Sequence, residues 1–526
     1  MAAGVVGLLL PSLLPGTTAF VLAQVAVTAI VGLGVSFLVN ALTPNPESSY
    51  QTTAIGTALD HQIIYGKARV YGVRVFDAVG GTDNEYLHRV VAFAGHEIEE
   101  FSEIYINDAL VTSFDVDGNV ATISSDDPDQ AADIYDGYIR IKEHLGASDQ
   151  AADNDLVSEV ADWTTEHRLR GIAYLYIRMK YDQDVFPNGI VEVSATIKGK
   201  KVYNPSTDTT AWSDNSALCI RDYLTSKYGL EEADANIDDS LVTSAATVCD
   251  ETDTLGGETR YTCNGAFTTG AVPYDIVRSL LSSMGGMLWY SQGKWRMKPA
   301  YWTATVEDFE EDDLRSGISI STRHSRRDNF NTVSGTFRGA ESNWQETDYP
   351  PVASTSYIIA DNGQESVFDF PLKYTDTSVE ARRLARIFLE KNRQQLTVEA
   401  NFGLKAFNVQ VGDNVTLSLD RFGWTSKEFE VIEWSFGMYD GDLQCKLILR
   451  ETAETIYDEV DDGEVYERDN TTLPSPYLVP SVGITTTAFA QIISEKLLNS
   501  LRIDVSSGSP ERIDYVELRE LLIPLV

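Results

Sequence analysis

Between Met1 and Pro46 the chain carries no charged residue, and the run from Phe20 to Leu42 within it contains no proline. About 20 consecutive apolar residues suffice to cross a bilayer as a helix. The segment is therefore expected to be an apolar helix that meets lipid or other protein on all sides. Phe20, Val21, Leu22, Val25, Val27, Ile30, Val31, Leu33, Phe37 and Leu38 supply its apolar surface, and Gly32 and Gly34 permit close helix–helix approach. A secretory signal fits less well, because a basic n-region and an A-x-A cleavage site are missing. Flanking Lys or Arg, which orient a conventional anchor, are missing too. Three settings remain open: a membrane anchor, a helix buried in an oligomer, or a segment held in a particle and released into a membrane later.

The rest of the chain is strongly acidic. Lys and Arg number 41 against 79 Asp and Glu, a formal charge of −38 over 526 residues. Such an excess disfavours a sequence-independent grip on nucleic acid, which needs cations against phosphate. It suits a solvated surface, or a conduit that DNA passes without sticking. The length implies several domains, since single cores stop growing near 250–300 residues. With 25 Tyr, 20 Phe and many Val, Ile and Thr, strands are favoured over helices.

Chemistry-bearing motifs are missing. The six histidines are scattered without HExxH spacing, no GxSxG elbow occurs, and the paired glycines lack a following phosphate-loop Lys. Cys219, Cys249, Cys263 and Cys445 show no CxxC spacing, so neither a metal nor a cofactor is expected. Cys249 and Cys263 stand close enough in sequence to bridge a short loop in an oxidising environment. No catalytic residue is assigned. A cell-wall hydrolase built on two carboxylates stays open, because an acidic chain offers many such pairs.

Short alternating runs dominate after Pro46. Residues 62–72, 87–94, 98–106, 171–179 and 190–197 read as strands, and Asp115 to Asn119 as a turn. An acidic, Ala-rich stretch at 124–162 reads as a partly helical excursion. Residues 215–298 change character: helices are expected at 217–227, 237–248 and 274–283, then a hairpin at 287–297 with Gly293 in its turn. Beyond it 318–337, 395–400 and 415–419 are strand-like, and 379–394 is a helix. The expected plan is mainly β and multidomain. It comprises an apolar helix (1–46), a first β domain (47–205), an α+β insertion (206–300), a second β domain (301–450), an acidic linker (451–473) and a region (474–526) spaced like the opening strands of a fibronectin type III sandwich. Such a sandwich needs about 100 residues, so the polypeptide is expected to continue past Val526.

The insertion resembles a known family. Asn215-Ser216-Ala217-Leu218-Cys219-Ile220-Arg221-Asp222-Tyr223-Leu224, Lys227-Tyr228-Gly229-Leu230, Cys249-Asp250 and the run Gly256-Gly257-Glu258-Thr259-Arg260-Tyr261-Thr262-Cys263-Asn264-Gly265 are similar to the tail-tip host-specificity proteins of lambda-like siphophages. These are central hub proteins related to phage baseplate hubs. Leu169 to Tyr174, Phe186-Pro187-Asn188-Gly189 and Lys200 to Pro205 fit the same family, and the likeness extends over roughly 55–450. It implies a homotrimer with two β-barrel tube-like domains per chain, six similar units in all, seated on a hexameric tail tube. Implied partners are the distal tail and other tail-tip proteins, the tape-measure protein and a host outer-surface receptor, with DNA passing through the lumen without specific binding. The chain departs from the family at its apolar start and in its shortened fibronectin-like region, so host recognition does not carry over. In that setting the first 46 residues would line the lumen or enter the host membrane. The basic cluster Arg323, Arg326 and Arg327 would contact a neighbouring subunit or the lumen. The competing readings are a membrane-anchored β-sandwich adhesin and a tail-associated cell-wall hydrolase.

Overall fold

The computed structural model describes residues 54–55, 59–124, 131–187, 189–253, 257–323, 325, 328–439, 441–458, 483–493 and 496–506. The expected apolar helix of residues 1–46, including Phe20 to Leu38, lies outside them, as do Arg326, Arg327 and most of 451–473 and 474–526.

The first half of the chain builds two sheets. In order come β1 (Ala54–Ile55), β2 (Gln62–Tyr65), β3 (Lys67–Tyr71), β4 (Val73–Gly80), β5 (Tyr86–Ala94), β6 (Ile98–Ile106), β7 (Ala109–Phe114) and β8 (Val120–Ile123). They are followed by β9 (Ile139–His144), helix α1 (Asn154–Glu159), β10 (Ala173–Lys180), β11 (Val193–Asn204) and β12 (Thr209–Trp212). One sheet has the order β1-β4-β5-β10-β9 and the other β12-β11-β6-β7-β8, with β3 also on β11. β6 alternates as its sequence requires, with Ile98, Phe101, Ile104 and Ile106 buried and Glu99 and Glu100 exposed. The acidic excursion is more ordered than expected. Ile139 and Ile141 are buried where β9 pairs with β10, and the Asp153 side chain accepts from the Leu156 N–H to start α1.

The expected first barrel is an open pair of sheets among the described strands. The sheets meet at the Asn119–Arg140 bridge and where β3 passes into β4 across Gly72. Yet β3 pairs with β11 while β4 pairs with β5, so no ladder closes the circuit there.

The α+β segment holds α2 (Ser216–Thr225), α3 (Asp239–Cys249), β13 (Gly265–Thr268), α4 (Pro273–Ser282), β14 (Met287–Ser291) and β15 (Lys294–Lys298). The three helices and the hairpin fall where the sequence placed them. Asn215 caps α2 by accepting from Ala217 N and Leu218 N, and Pro273 opens α4 in the first turn. The β14–β15 turn uses Gln292 and Gly293, both at positive φ (52° and 81°), the twist that suits a two-residue hairpin. β13 pairs with β2, so this segment donates a strand to the amino-terminal half.

The remainder runs β16 (Glu307–Glu310), β17 (Ser319–Ser321), β18 (Thr332–Arg338), β19 (Glu346–Ala353), α5 (Thr355–Ala360), β20 (Val367–Asp369), α6 (Ser378–Arg393), β21 (Thr397–Phe402), β22 (Asn414–Leu419), β23 (Trp424–Tyr439) and β24 (Asp442–Glu451). Six strands in the order β16-β22-β23-β24-β21-β17 curl around Phe309, Phe402, Phe429 and Leu447. The edges β16 and β17 do not pair with each other. The chain between them carries Leu314 onto Phe402, so the expected second barrel is a curled sheet joined by a connecting segment rather than by strand pairing. A three-stranded sheet, β19-β18-β20, packs against α6, where Phe330, Phe368 and Phe370 gather around Phe388 at ring-centroid distances of 4.8–5.3 Å. This sheet and α6 share one hydrophobic core with α2, α3 and α4.

Separately, β25 (Gly483–Ile493) and β26 (Lys496–Ser506) form an antiparallel hairpin within a second compact unit. The described residues there make one two-stranded sheet and not the fibronectin type III sandwich that the spacing implied.

Candidate functional site

The run from Glu258 to Asn264 ties together elements far apart in sequence. Tyr261 is fully buried and donates its hydroxyl to Ala300 O at 2.8 Å. The Thr262 N–H donates to Glu380 Oε1 at 2.9 Å, and its hydroxyl donates to Glu380 Oε2 at 2.8 Å. Asn264 Oδ1 accepts from Lys67 N at 2.7 Å while its Nδ2 donates to Asp376 Oδ1 at 2.9 Å. From α6, Arg383 donates to Arg260 O at 2.7 Å and pairs with Asp253, and Thr377 donates to Glu258 Oε2 at 2.8 Å. Seven consecutive residues therefore bridge β3, α3 and α6. Gly66 fits between β2 and β3 because it adopts φ +57°, and a Cβ there would lie 2.2 Å from both Cys263 O and Asn264 Oδ1.

A second knot lies on the α2 side. Asp222 Oδ2 accepts from Tyr65 at 2.6 Å, from Lys200 Nζ at 2.7 Å and from Tyr228 at 2.8 Å. Lys200 also donates to Ser226 Oγ and Tyr228 Oη. One carboxylate thus fastens β2 and β11 to α2. Nearby, Ile64 N donates to His96 Nε2 at 3.0 Å, and burial pushes the His96 pKa down to about 4.

The electrostatics at the junction are those of a sealed joint. Burial raises the Glu380 carboxyl well above the usual range, opposed by the Thr262 hydrogen bonds. Burial also raises Asp376, with the Asp214 charge adding to it, and raises Asp214 with Asp250 adding. Proton transfer to a substrate needs access that these groups lack. The largest hollow noted on the surface, about 410 Å³ and wide open, lies elsewhere among Glu99, Glu100, Lys198, Lys201 and Trp212, and its lysines are paired with Glu100 and Glu97. Among the described residues no group of His, Cys, Asp and Glu is placed to hold a metal.

The residues singled out from sequence are not brought together. Cys249 and Cys263 are free, fully buried thiols in the same core as Cys219, so the loop-bridging disulfide is not present in this structure. Arg323 is exposed just beyond β17, and Arg326 and Arg327 lie outside the described residues. Sequence reasoning missed Glu380 and the Asp222–Lys200–Tyr65 knot. Their partners lie up to 157 residues away along the chain, so no local signal marked them.

With this geometry in view, the likeness to known proteins acquires a structural meaning. The chain is 24% identical over 490 residues to the baseplate hub protein pb3 of Escherichia phage T5, covering 78% of this chain and 50% of that one. The resemblance is to phage tail and baseplate structural proteins. The chain spans half the length of this curated relative. Its fold matches a chain in the virion of a native gene transfer agent particle with TM-score 0.54 and 14% identity, covering 81% of this chain and 91% of that one. A tail protein from Neisseria meningitidis MC58 aligns over 75% of the chain at 11% identity, but with TM-score 0.28 it adds nothing to the fold assignment. No protein-family model matches.

Proposed function

We propose that the chain is a structural hub of a bacteriophage tail tip, located in the virion tail and working by assembly rather than catalysis. The observation that carries this is the 490-residue similarity to a baseplate hub protein, which takes in the junction residues. In this reading three copies surround a lumen, and the two curled β regions of each copy offer six similar units to a hexameric tube. A homotrimer so built caps the tail tube, meets the distal tail and tape-measure proteins, and joins the tube to receptor-binding or fibre parts. It gates DNA ejection while the acidic surface keeps DNA from sticking. The uncharged segment 1–46 lies in the lumen until infection and then meets the host membrane, while Arg323, Arg326 and Arg327 face the lumen or a neighbouring copy. The fibronectin type III-like region extends below the hub.

The knots support this reading because a hub must transmit load between sheets without slipping, and buried charge pairs with full hydrogen bonding give a joint one geometry. Gold-labelled antibody against the chain should decorate only the distal end of intact tails. Label along the tail shaft, or none on purified virions, would refute the assignment.

A further inference from the structure

The hairpin β23–β24 runs past the body of its sheet and carries the core face with it. Trp434 pairs across the strands with Leu447, Phe436 with Cys445 and Met438 with Leu443, so these six side chains share one face. At the inner end Leu447 and Cys445 are fully buried. Towards the tip the cover runs out: Phe436 is 42% exposed, Met438 72% and Leu443 51%. The turn after β21 (residues 404–408) adds Leu404 and Phe407, exposed by 58% and 53%, and the Phe407 ring sits 5.3 Å from Phe436. Trp434 Nε1 donates to Ala406 O at 2.9 Å and fixes this turn against the hairpin. Lys405, the charged residue of the turn, is directed to Glu307 and Asp313 and away from the patch.

We propose that this patch is the surface by which one copy of the chain docks on the next. Contiguous apolar patches on a soluble face mark interaction sites. The identity of the occupant follows from charge. A basic partner would be drawn by carboxylates, and the shared face of the hairpin offers none. A second copy is as acidic as the first, at −38, so copies repel over most of their surfaces and can close together only where neither brings a carboxylate. The proposal rests on the trimeric hub reading and locates a contact that this reading needs but does not specify.

The full-length chain, its Met438→Asp and Leu443→Asp variants and an Ile359→Asp control on α5, a position 71% exposed, are compared by sedimentation velocity. Near-UV circular dichroism serves as the check on folding. The wild type and the control should sediment as trimers, and the two hairpin variants as monomers with association weakened at least ~100-fold, the scale of losing a buried Met or Leu and placing a charge there. Wild-type trimers with unchanged trimers for both hairpin variants would overturn the docking surface alone. A monomeric wild type would overturn the trimer reading and the proposal with it. Hairpin variants that remain trimeric but fail to enter tails would assign the patch to a different tail protein, which also overturns the proposal. Should the aspartate variants lose their near-UV signature, Met438→Ala replaces them. Its trimer should weaken roughly 10-fold, and no weakening overturns the proposal.

Discussion

Glu380 sits where water is excluded and accepts from both the N–H and the hydroxyl of Thr262. Truncation to alanine strands two buried donors, so Glu380→Ala should cost about 2–4 kcal/mol of unfolding free energy in a urea titration. The pH response has a definite sign. A carboxyl raised in the folded state contributes stability that is fully present below its unfolded pKa of about 4.3 and lost as pH rises through the folded pKa. His96 acts in the opposite sense: with a folded pKa of about 4, its contribution is present above the unfolded value of about 6.5 and lost as pH falls towards 4. Glu380→Gln removes only the first effect, so its stability relative to wild type should grow as pH rises from about 5 to about 8. A difference that stays flat over that range would show that Glu380 does not change its charge there. At the Asp222 knot, Lys200→Met leaves a half-buried carboxylate without its cation and should cost roughly 3 kcal/mol, whereas removing Lys200 and Asp222 together should cost less than the sum of the single changes. The run 256–265 could be picked out in the sequence as a signature, but its role could not, because Glu380 is 118 residues from Thr262.

At the scale of elements, those with strong local signals were legible. The helices at 216–225, 239–249, 273–282 and 378–393 announce themselves by periodicity and by capping residues such as Asn215 and Thr377. Asn215 does more than cap, since its Nδ2 also donates to Ala246 O and Asp250 Oδ1. Asn215→Ala should therefore exceed the usual cap cost of about 1 kcal/mol, measurable as a lowered thermal midpoint with the native fold retained. The strands β23 and β24 were not singled out. β23 mixes Lys, Glu, Ser and aromatics over 16 residues, and its register shift between Val431 and Glu433 breaks the alternation on which a strand assignment depends. Barrel closure was likewise illegible. Whether two sheet edges pair is decided by bends and connections such as Gly72 and residues 311–318, which leave no periodic trace.

For the whole molecule, composition gave the right constraint: an acidic, β-rich chain with no catalytic motif is suited to scaffolding. The uncharged start is the part whose role the proposed hub must still explain. Removing residues 2–42 should leave assembled tails intact while lowering DNA delivery by at least about 10-fold, the scale on which losing a buried apolar helix would be felt. Normal delivery from such particles would take away any lumen or membrane role for that segment. The central claim is that three copies of this chain close the end of a tail tube, and averaged electron microscopy of purified tails tests it most directly. The account predicts threefold density for three copies at the distal end, continuous with a sixfold tube above. Tails lacking the chain, or holding it in a number that does not match a threefold ring, would contradict it.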